Sequence, residues 1–284
     1  MSIRTNIEWC DSTFSAWMGC TKISQACDHC YAERWGKRFG VAWGVDAPRK
    51  RTSQSNWRQP LRWNSKRFME CGACGWRGEC AAELIGCGAC GSIDQMNDAR
   101  RRVFSSPLAD VFDNAVPEQW RCDLFDLIAK TPHLDWLLLS KRIGNAREML
   151  TRYWTGEADG RSRTHIPSIW IGTTICNREE MLRDGPKLKA LQSTIHFSQH
   201  FWSVEPMLGD IGEIPRELMP SWVICGSESG PRARRDPAML DRVRGLRDQC
   251  SGAGVPFFWK QDTINGKKIS TPELDGKRWT EVPA

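Results

Sequence analysis

Three cysteines near the start of the 284-residue chain, Cys20, Cys27 and Cys30, follow the spacing C-x6-C-x2-C. A closed structural zinc site needs four ligands, so either a fourth ligand lies elsewhere or the site is incomplete. An incomplete site matters more for function, because an open coordination position is what lets a bound metal act on a ligand. This segment is therefore the first candidate for a reactive centre.

A second cysteine cluster reads "CGACGWRGECAAELIGCGAC" and contains the tetrapeptide C-G-A-C twice, separated by twelve residues. Glycine lets the backbone amides of each tetrapeptide turn toward the sulfurs, and two such knuckles supply the four thiolates of a tetrahedral Zn²⁺ site. The predicted zinc ligands are Cys71, Cys74, Cys87 and Cys90. Cys80 lies between the knuckles and either replaces a ligand or stays free. Polar, glycine-rich flanks indicate an inserted zinc-ribbon-like module at residues 69–98, with a structural role.

The composition indicates a chain with a substantial core and no membrane segment. Apolar residues make up 40% of the sequence, and the N-terminus lacks the basic-then-apolar pattern of a secretory signal. We therefore expect a cytoplasmic protein that does not contact a membrane. Thirteen cysteines in a reducing compartment are not expected to form disulfides, which favours metal binding for the clustered ones.

A formal net charge of +6 permits a polyanionic partner without requiring one. In residues 48–67, Trp57 and Trp63 alternate with arginines and lysines, a combination that suits nucleic-acid bases and phosphates together. Tryptophan also anchors cores, and basic runs also form solvated faces. The run is therefore a candidate nucleic-acid contact with a purely structural alternative.

The elements that must position these residues follow from short apolar runs that alternate with helical stretches, the pattern of a parallel sheet with crossover helices. Candidate strands lie at 12–20, 102–112, 135–142, 168–175, 200–209, 221–230 and 255–261. Helices are predicted at 117–130, 178–191 and 237–253. Seven strands favour a full or partial parallel (β/α) barrel, formed by residues 1–68 and 99–284, over a doubly wound sheet.

Polar side chains follow the predicted strands, where parallel α/β folds bind their ligands. The strand-end candidates are Ser105, Ser106, Asp110, Ser140, Lys141, Arg142, Thr173, Thr174, Glu205, Ser227, Glu228, Lys260 and Gln261. Glu205 stands out because it lies between "FWSV" and "PML", where burying an unpaired carboxylate is costly. It either faces a ligand or forms an ion pair with Lys141, Arg142 or Lys260. Glu205, Lys141 and Arg142 are the candidate catalytic residues.

Several of these segments together resemble a known family. The stretches "IEWCDSTFSAWMGCTKISQACDHCYAERW", "RVFSSPLADVFDNAVP", "WIGTTI", "FWSVEPMLG" and "VPFFWKQ" are similar to a phage-associated three-cysteine-motif family related to the radical S-adenosylmethionine superfamily. The resemblance runs from about residue 3 to the tail "LDGKRWTEVP", with the zinc-ribbon-like module as an addition. It implies a radical-SAM-type barrel in the cytoplasm of a bacterial or phage-infected cell.

The resemblance also implies cofactors. Three thiolates hold three irons of a [4Fe–4S] cluster, and the fourth iron binds the amino and carboxylate groups of S-adenosylmethionine. An electron from an external donor then cleaves the sulfonium to give a 5′-deoxyadenosyl radical. The superfamily's usual spacing is C-x3-C-x2-C, so the first interval is longer here, and the common Gly-Gly-Glu segment is absent.

Positions carried over from the superfamily give the cofactor-binding candidates. His29 is implied near the adenine, and Thr173 and Thr174 near the ribose. Glu205 is implied near the methionine carboxylate or the substrate. Ser105, Ser106 and Asp110 are implied near the amino group of the cofactor. Glu228, at another strand end, is a further cofactor-binding candidate.

Two functions from different classes fit these observations. The first is an iron–sulfur, S-adenosylmethionine-dependent radical enzyme that repairs or modifies nucleic acid or a nucleotide. The second is a non-catalytic nucleic-acid-binding protein with two structural metal sites, in which Cys10 or His29 completes a zinc site with the first three cysteines. A phosphate-binding barrel using Lys141, Arg142 and "GSESG" is a third possibility, but it lacks a recognised phosphate-loop spacing.

Overall fold

The computed structural model describes residues 5–80, 86–160, 168–195, 197–230 and 232–283. In chain order the strands are β1 Ser12–Phe14, β2 Trp17–Met18, β3 Lys50–Arg51, β4 Phe68–Cys71, β5 Arg77–Glu79, β6 Met96–Asp98, β7 Arg101–Ser105, β8 Leu134–Ser140, β9 Ile169–Thr174, β10 Gln199–Val204, β11 Trp222–Gly226, β12 Phe257–Ile264, β13 Lys267–Ser270, β14 Glu273–Leu274 and β15 Lys277–Arg278.

The helices are α1 Tyr31–Arg38, α2 Gln54–Trp57, α3 Gln59–Asn64, α4 Glu118–Ala129, α5 Ile143–Thr155, α6 Arg178–Gln192 and α7 Met239–Gly252, with short 3-10 helices at Gln25–Cys27 and Arg216–Leu218. The predicted helices at 117–130, 178–191 and 237–253 correspond to α4, α6 and α7. Helix α6 begins where the Asn177 side chain accepts a hydrogen bond from the Glu180 amide at 2.9 Å, the usual N-cap arrangement.

An eight-stranded sheet in the order β1-β7-β8-β9-β10-β11-β12-β13 organises the molecule. The first seven of these strands pair in parallel, and β13 folds back antiparallel on β12. The seven predicted strands and the mixed α/β class are confirmed. The antiparallel β13 was not predicted.

The sheet is curled into a half-barrel. Trp9, just before β1, packs within 6.3 Å of the rings of both Phe104 on β7 and Trp222 on β11. Those two strands are four strand spacings of about 4.8 Å apart, so on a flat sheet one ring could not touch both. The segment before β1 also reaches the opposite edge strand, because Lys268 Nζ on β13 lies 2.9 Å from Glu8 Oε1.

Apolar side chains cover both faces of the curled sheet, as expected of parallel strands. Along β8, Leu137 points into the concave cluster with Trp9, while Trp136 and Leu138 belong to the outer core under the helices. No helix in the described part of the chain is both long and apolar enough to cross a membrane.

A separate antiparallel sheet in the order β5-β4-β6 lies at the amino ends of the main strands. Arg77 of β5 bonds Asp11, the residue before β1, with its Nε 3.0 Å from Oδ1. Glu79 pairs at 2.6 Å with Arg101, the first residue of β7. Because ligands of parallel sheets bind at the carboxyl ends, this small sheet sits on the side away from such a site.

The basic run at 48–67 is largely structural. Trp63 is buried, and the Trp57 ring packs against Phe14 with the Arg51 guanidinium over it. Lys66 pairs with Glu79 and Arg67 pairs with Asp98. These contacts favour the structural alternative for the two tryptophans, because Trp63 belongs to the core and Trp57 packs against it.

Candidate functional site

A cavity of about 280 Å³ opens at the carboxyl ends of the parallel strands. Cys20, Cys27 and Cys30 all line it, on the segment that follows β1 and β2. The strand-end residues that line it as well are Ser106, Asp110, Lys141, Arg142, Thr174, Glu205, Lys260 and Gln261. The fold therefore brings the first three cysteines and most of the predicted polar residues to one cavity.

Arg142, at the end of β8, holds the first cysteine of the group. Its Nη1 lies 3.3 Å from Cys20 Sγ, and its Nη2 donates to the Thr21 carbonyl at 2.7 Å. Asp110 fixes this arrangement by accepting from Ser140 Oγ at 2.7 Å and from Arg142 Nη1 at 3.4 Å. Burial raises the pKa of the Cys20 thiol to about 11, and Asp110 adds to this rise, while the guanidinium of Arg142 opposes it.

The other side of the cysteine loop is held by residues after β11. Glu228 Oε2 accepts from His29 Nδ1 at 2.9 Å, and its Oε1 accepts from Arg234 Nη2 at 2.6 Å. Arg234 also donates to Asp28 and to the Gln25 carbonyl, both at 2.9 Å. Although burial of Glu228 works against ionisation, the hydrogen bonds from Arg234 and His29 lower the pKa of its carboxyl. The loop is thus clamped from two strand ends.

Glu205, just after β10, and Lys260, within β12, face each other across the end of β11, with Lys260 Nζ 2.5 Å from Glu205 Oε2. The second oxygen, Glu205 Oε1, is buried without a hydrogen-bond partner among the described residues. Lys141 Nζ lies 3.4 Å from Thr174 Oγ1 and has no carboxylate partner in the described part of the chain. Among the residues that the structure describes, the cavity therefore presents one carboxylate oxygen without a donor and one ammonium group without a carboxylate partner.

The four cysteines of the small sheet come together as one group. Their sulfurs all lie within 4.8 Å of one another, and the Cys71–Cys90 and Cys74–Cys87 pairs are 3.7 Å apart. A tetrahedral zinc with Zn–S bonds of about 2.3 Å separates its sulfurs by about 3.8 Å, so the spacing suits that ion. Cys80 is not in the group.

The two knuckles repeat the same turn. In each, the glycine after the second cysteine donates to the carbonyl of the first at 2.8 Å, and both glycines, Gly75 and Gly91, have positive φ. Backbone amides directed at Cys87 Sγ, including that of Ala89 at 3.4 Å, lower the pKa of this thiol, while hydrogen bonds with the other three thiols raise the pKa of Cys74. A lowered thiol pKa favours the thiolate that a metal binds. These four cysteines can therefore bind a metal ion such as zinc.

A family model described as "Protein of unknown function (DUF5131)" matches residues 4–283. The chain belongs to this family. No curated protein and no solved structure matches it. The family description carries no activity, so function has to be inferred from the geometry of the cavity.

Not all predicted site residues of this DUF5131 chain reach the cavity. Ser105 and Thr173 are fully buried in their strands, and they are absent from the cavity lining. His29 and Glu228 bond each other beside the cysteine loop, and His29 lines a neighbouring cavity instead. Asp110 lines the central cavity, but both of its oxygens already accept hydrogen bonds from the segment around β8.

The alternative of a four-ligand zinc site at the first three cysteines is not borne out by the geometry. Cys10 is buried and its sulfur lies 3.7 Å from the Ile7 carbonyl, while His29 Nδ1 is engaged by Glu228. Within the described residues, Cys20, Cys27 and Cys30 are themselves not a group whose sulfurs all lie within 4.8 Å of one another, and neither Cys10 nor His29 makes them one.

Several cavity residues were not predicted. Lys22 and Tyr31 belong to the cysteine segment itself, and Tyr31 donates from its hydroxyl to the Pro107 carbonyl at 3.0 Å. Lys268 reaches the cavity from β13. The only sequence signal for Lys268 was the Asn-Gly pair at 265–266, which is typical of a hairpin and would have revealed β13.

Proposed function

We propose that this protein is an iron–sulfur enzyme of the radical S-adenosylmethionine type that acts on nucleic acid or a nucleotide. The observation that carries the proposal is the convergence of Cys20, Cys27 and Cys30 on one cavity at the carboxyl ends of a parallel half-barrel. Three thiols that line one cavity supply three of the four ligands of a cluster and would leave one iron open.

The residues around the cavity fit such a cluster and its cofactor. Cys20, Cys27 and Cys30 would ligate three irons, and the Arg142 guanidinium beside Cys20 Sγ partly offsets the burial that raises the pKa of this thiol. When bound, the cluster supplies the electron that cleaves the sulfonium of S-adenosylmethionine. Lys141 offers a cation for the carboxylate of that molecule, and Glu205 Oε1 offers a buried acceptor for its amine or hydroxyl groups.

The charge of the cavity supports an anionic substrate. Lys22, Lys141, Lys260, Lys268 and Arg142 line it, and all of them except Lys141 pair with a carboxylate among the described residues. The unpaired Lys141 ammonium could attract the phosphate of a substrate. An external electron donor has to reach the cluster, and the exposed rim at Lys22 is the side of the cysteine loop open to solvent.

The test is anaerobic reconstitution of the full chain with iron and sulfide, followed by reduction in the presence of S-adenosylmethionine. We expect a brown protein that absorbs near ~400 nm and forms 5′-deoxyadenosine. Cys20→Ala should abolish both the absorption and the product, because two thiolates do not hold the cluster.

Cys80→Ala is the matched control, since Cys80 belongs to neither cysteine group. It should keep the chromophore and the activity. A colourless protein that binds only zinc, or a Cys20→Ala variant that keeps the chromophore, would contradict the proposal.

A further inference from the structure

Helix α1 carries an exposed row of aromatic side chains. Tyr31, Trp35 and Phe39 are spaced by four residues and are 41%, 47% and 49% exposed. They are the exposed large aromatic residues of the described chain. The Trp35 and Phe39 rings lie 6.3 Å apart with their planes 21° from parallel. Four-residue spacing puts Tyr31 and Trp35 on one face of the helix, and Phe39, the residue after its last turn, stacks beside Trp35.

Cations flank this row. Arg34, Arg38 and Arg232 form no ion pair with the described residues, and all three are exposed. Arg38 lies over the Trp35 ring, 4.8 Å from its centroid. Lys37 is also exposed and has only a long contact with Glu33, at 3.7 Å. Unpaired guanidinium groups beside exposed rings are complementary to a polyanion that also has flat, apolar groups.

The row leads to the candidate active site. Tyr31 lies at the start of α1 and lines the central cavity. A second cavity of about 430 Å³ beside α1 is lined by the cations Arg34, Lys37 and Arg232 and by the carboxylates Asp28 and Glu33. Cys30, Lys22 and Ser229 line both cavities. A ligand on α1 would therefore continue directly to the cysteine loop.

We infer that α1 and the neighbouring arginines form a binding surface for single-stranded nucleic acid. Bases stack on Trp35 and Phe39, while Arg34, Arg38 and Arg232 contact phosphates. A strand in this position presents one nucleotide, unstacked, at the mouth of the central cavity near Tyr31. The identity of this strand as a substrate rests on the proposed function, whereas the binding itself does not.

The test measures fluorescence anisotropy of labelled oligonucleotides, a dT 15-mer and an rU 15-mer, titrated with the full chain before and after cluster reconstitution. We expect Trp35→Ala to weaken binding about fivefold or more, because it removes one stacking platform. Arg34→Ala should weaken binding and reduce the slope of log affinity against log salt by about 0.7, the value for one lost phosphate contact on a single strand. The two oligonucleotides show whether DNA or RNA is preferred.

Leu61→Ala and Arg62→Ala are the matched controls, because both residues are exposed on α3, away from the cavity. They should leave the affinity unchanged, and melting temperatures should confirm that all four variants fold. Absence of binding by the wild-type chain, or equal losses in the α1 and α3 variants, would overturn the inference. Formation of 5′-deoxyadenosine is measured without oligonucleotide. A protein that forms this product but does not bind the oligonucleotides would overturn the inference and leave the radical chemistry of the proposed function standing.

Discussion

At the scale of single residues, His200 gives a pH-dependent prediction away from both cysteine sites. It is buried near the start of β10, and Gln192 Nε2 lies 2.8 Å from its Nδ1. Burial, together with the charge of Lys189, lowers the pKa of His200 to about 4. An unfolded histidine titrates near ~6.5. The unfolded chain therefore gains a proton below about pH 6.5, while the folded chain gains it only near pH 4.

The stability contributed by neutral His200 is complete above about pH 6.5 and is lost as the pH falls toward about 4. Between about pH 7.5 and about pH 5, the wild type should lose about 2 kcal/mol more unfolding free energy than His200→Gln. Urea unfolding of the metal-free protein at the two pH values measures the difference. Parallel pH dependences of the two proteins would show that the folded chain protonates His200 as readily as the unfolded chain does.

Glu205 gives the second residue-scale prediction. Its two oxygens differ, because Oε2 pairs with Lys260 and Oε1 is a buried acceptor without a described partner. Glu205→Gln should lower the unfolding free energy by about 2 kcal/mol, since it leaves the little-exposed Lys260 ammonium without its counter-charge. It should also weaken S-adenosylmethionine binding, because a charge-assisted hydrogen bond is lost.

Lys260→Gln and the double variant complete a mutant cycle that isolates the ion pair. A coupling of about 1 kcal/mol or more is expected in denaturant unfolding. The affinity for S-adenosylmethionine, measured by calorimetry on the same proteins, tests whether Glu205 contacts this cofactor. A stability loss with unchanged affinity would remove Glu205 from the cofactor site and leave it as a structural partner of Lys260.

At the scale of elements, the small sheet β5-β4-β6 should behave as an independent metal-dependent unit. Among the described residues, its three strands pair only with one another. Ion pairs such as Arg77–Asp11 and Arg101–Glu79 attach it to the main sheet. Cys87→Ser should reduce bound zinc from about one ion per chain to almost none and expose residues 69–98 to proteases. The main half-barrel should stay folded, because its core does not include the metal.

Zinc analysis, limited proteolysis and absorption near ~400 nm test this expectation together. Cys80→Ser is the control and should retain zinc. Loss of the iron chromophore in Cys87→Ser would mean that the two cysteine groups depend on each other.

The elements also show which features sequence patterns could predict. The seven parallel strands and the four-cysteine group of the small sheet were predictable, because buried apolar runs and a repeated C-G-A-C are local signals. The role of Trp57 and Trp63 could not be predicted from local patterns, because the burial of these rings depends on which residues the fold packs against them. The same holds for Arg142, whose contact with Cys20 joins residues 122 positions apart.

At the scale of the whole molecule, the half-barrel separates two cysteine groups with different surroundings. The three-cysteine loop lies at the carboxyl ends beside the cavity, and the small sheet lies at the amino ends. Chain connectivity does not determine which end of a sheet an insertion covers, so this separation could not be predicted from the sequence order.

A sheet that does not close into a barrel has free edges, and β13 is one of them. Within the described residues no strand pairs with its outer side, and all four of its residues, Lys267–Ser270, are exposed. An unpaired edge is a template for aggregation, and lysines on it repel a second chain that would extend the sheet. Lys267→Val should therefore increase light scattering of concentrated protein without lowering its melting temperature. Lys130→Val, which removes one charge at the end of α4, is the control and should leave the light scattering unchanged. Equal scattering of the two variants would show that Lys267 is not what protects the β13 edge.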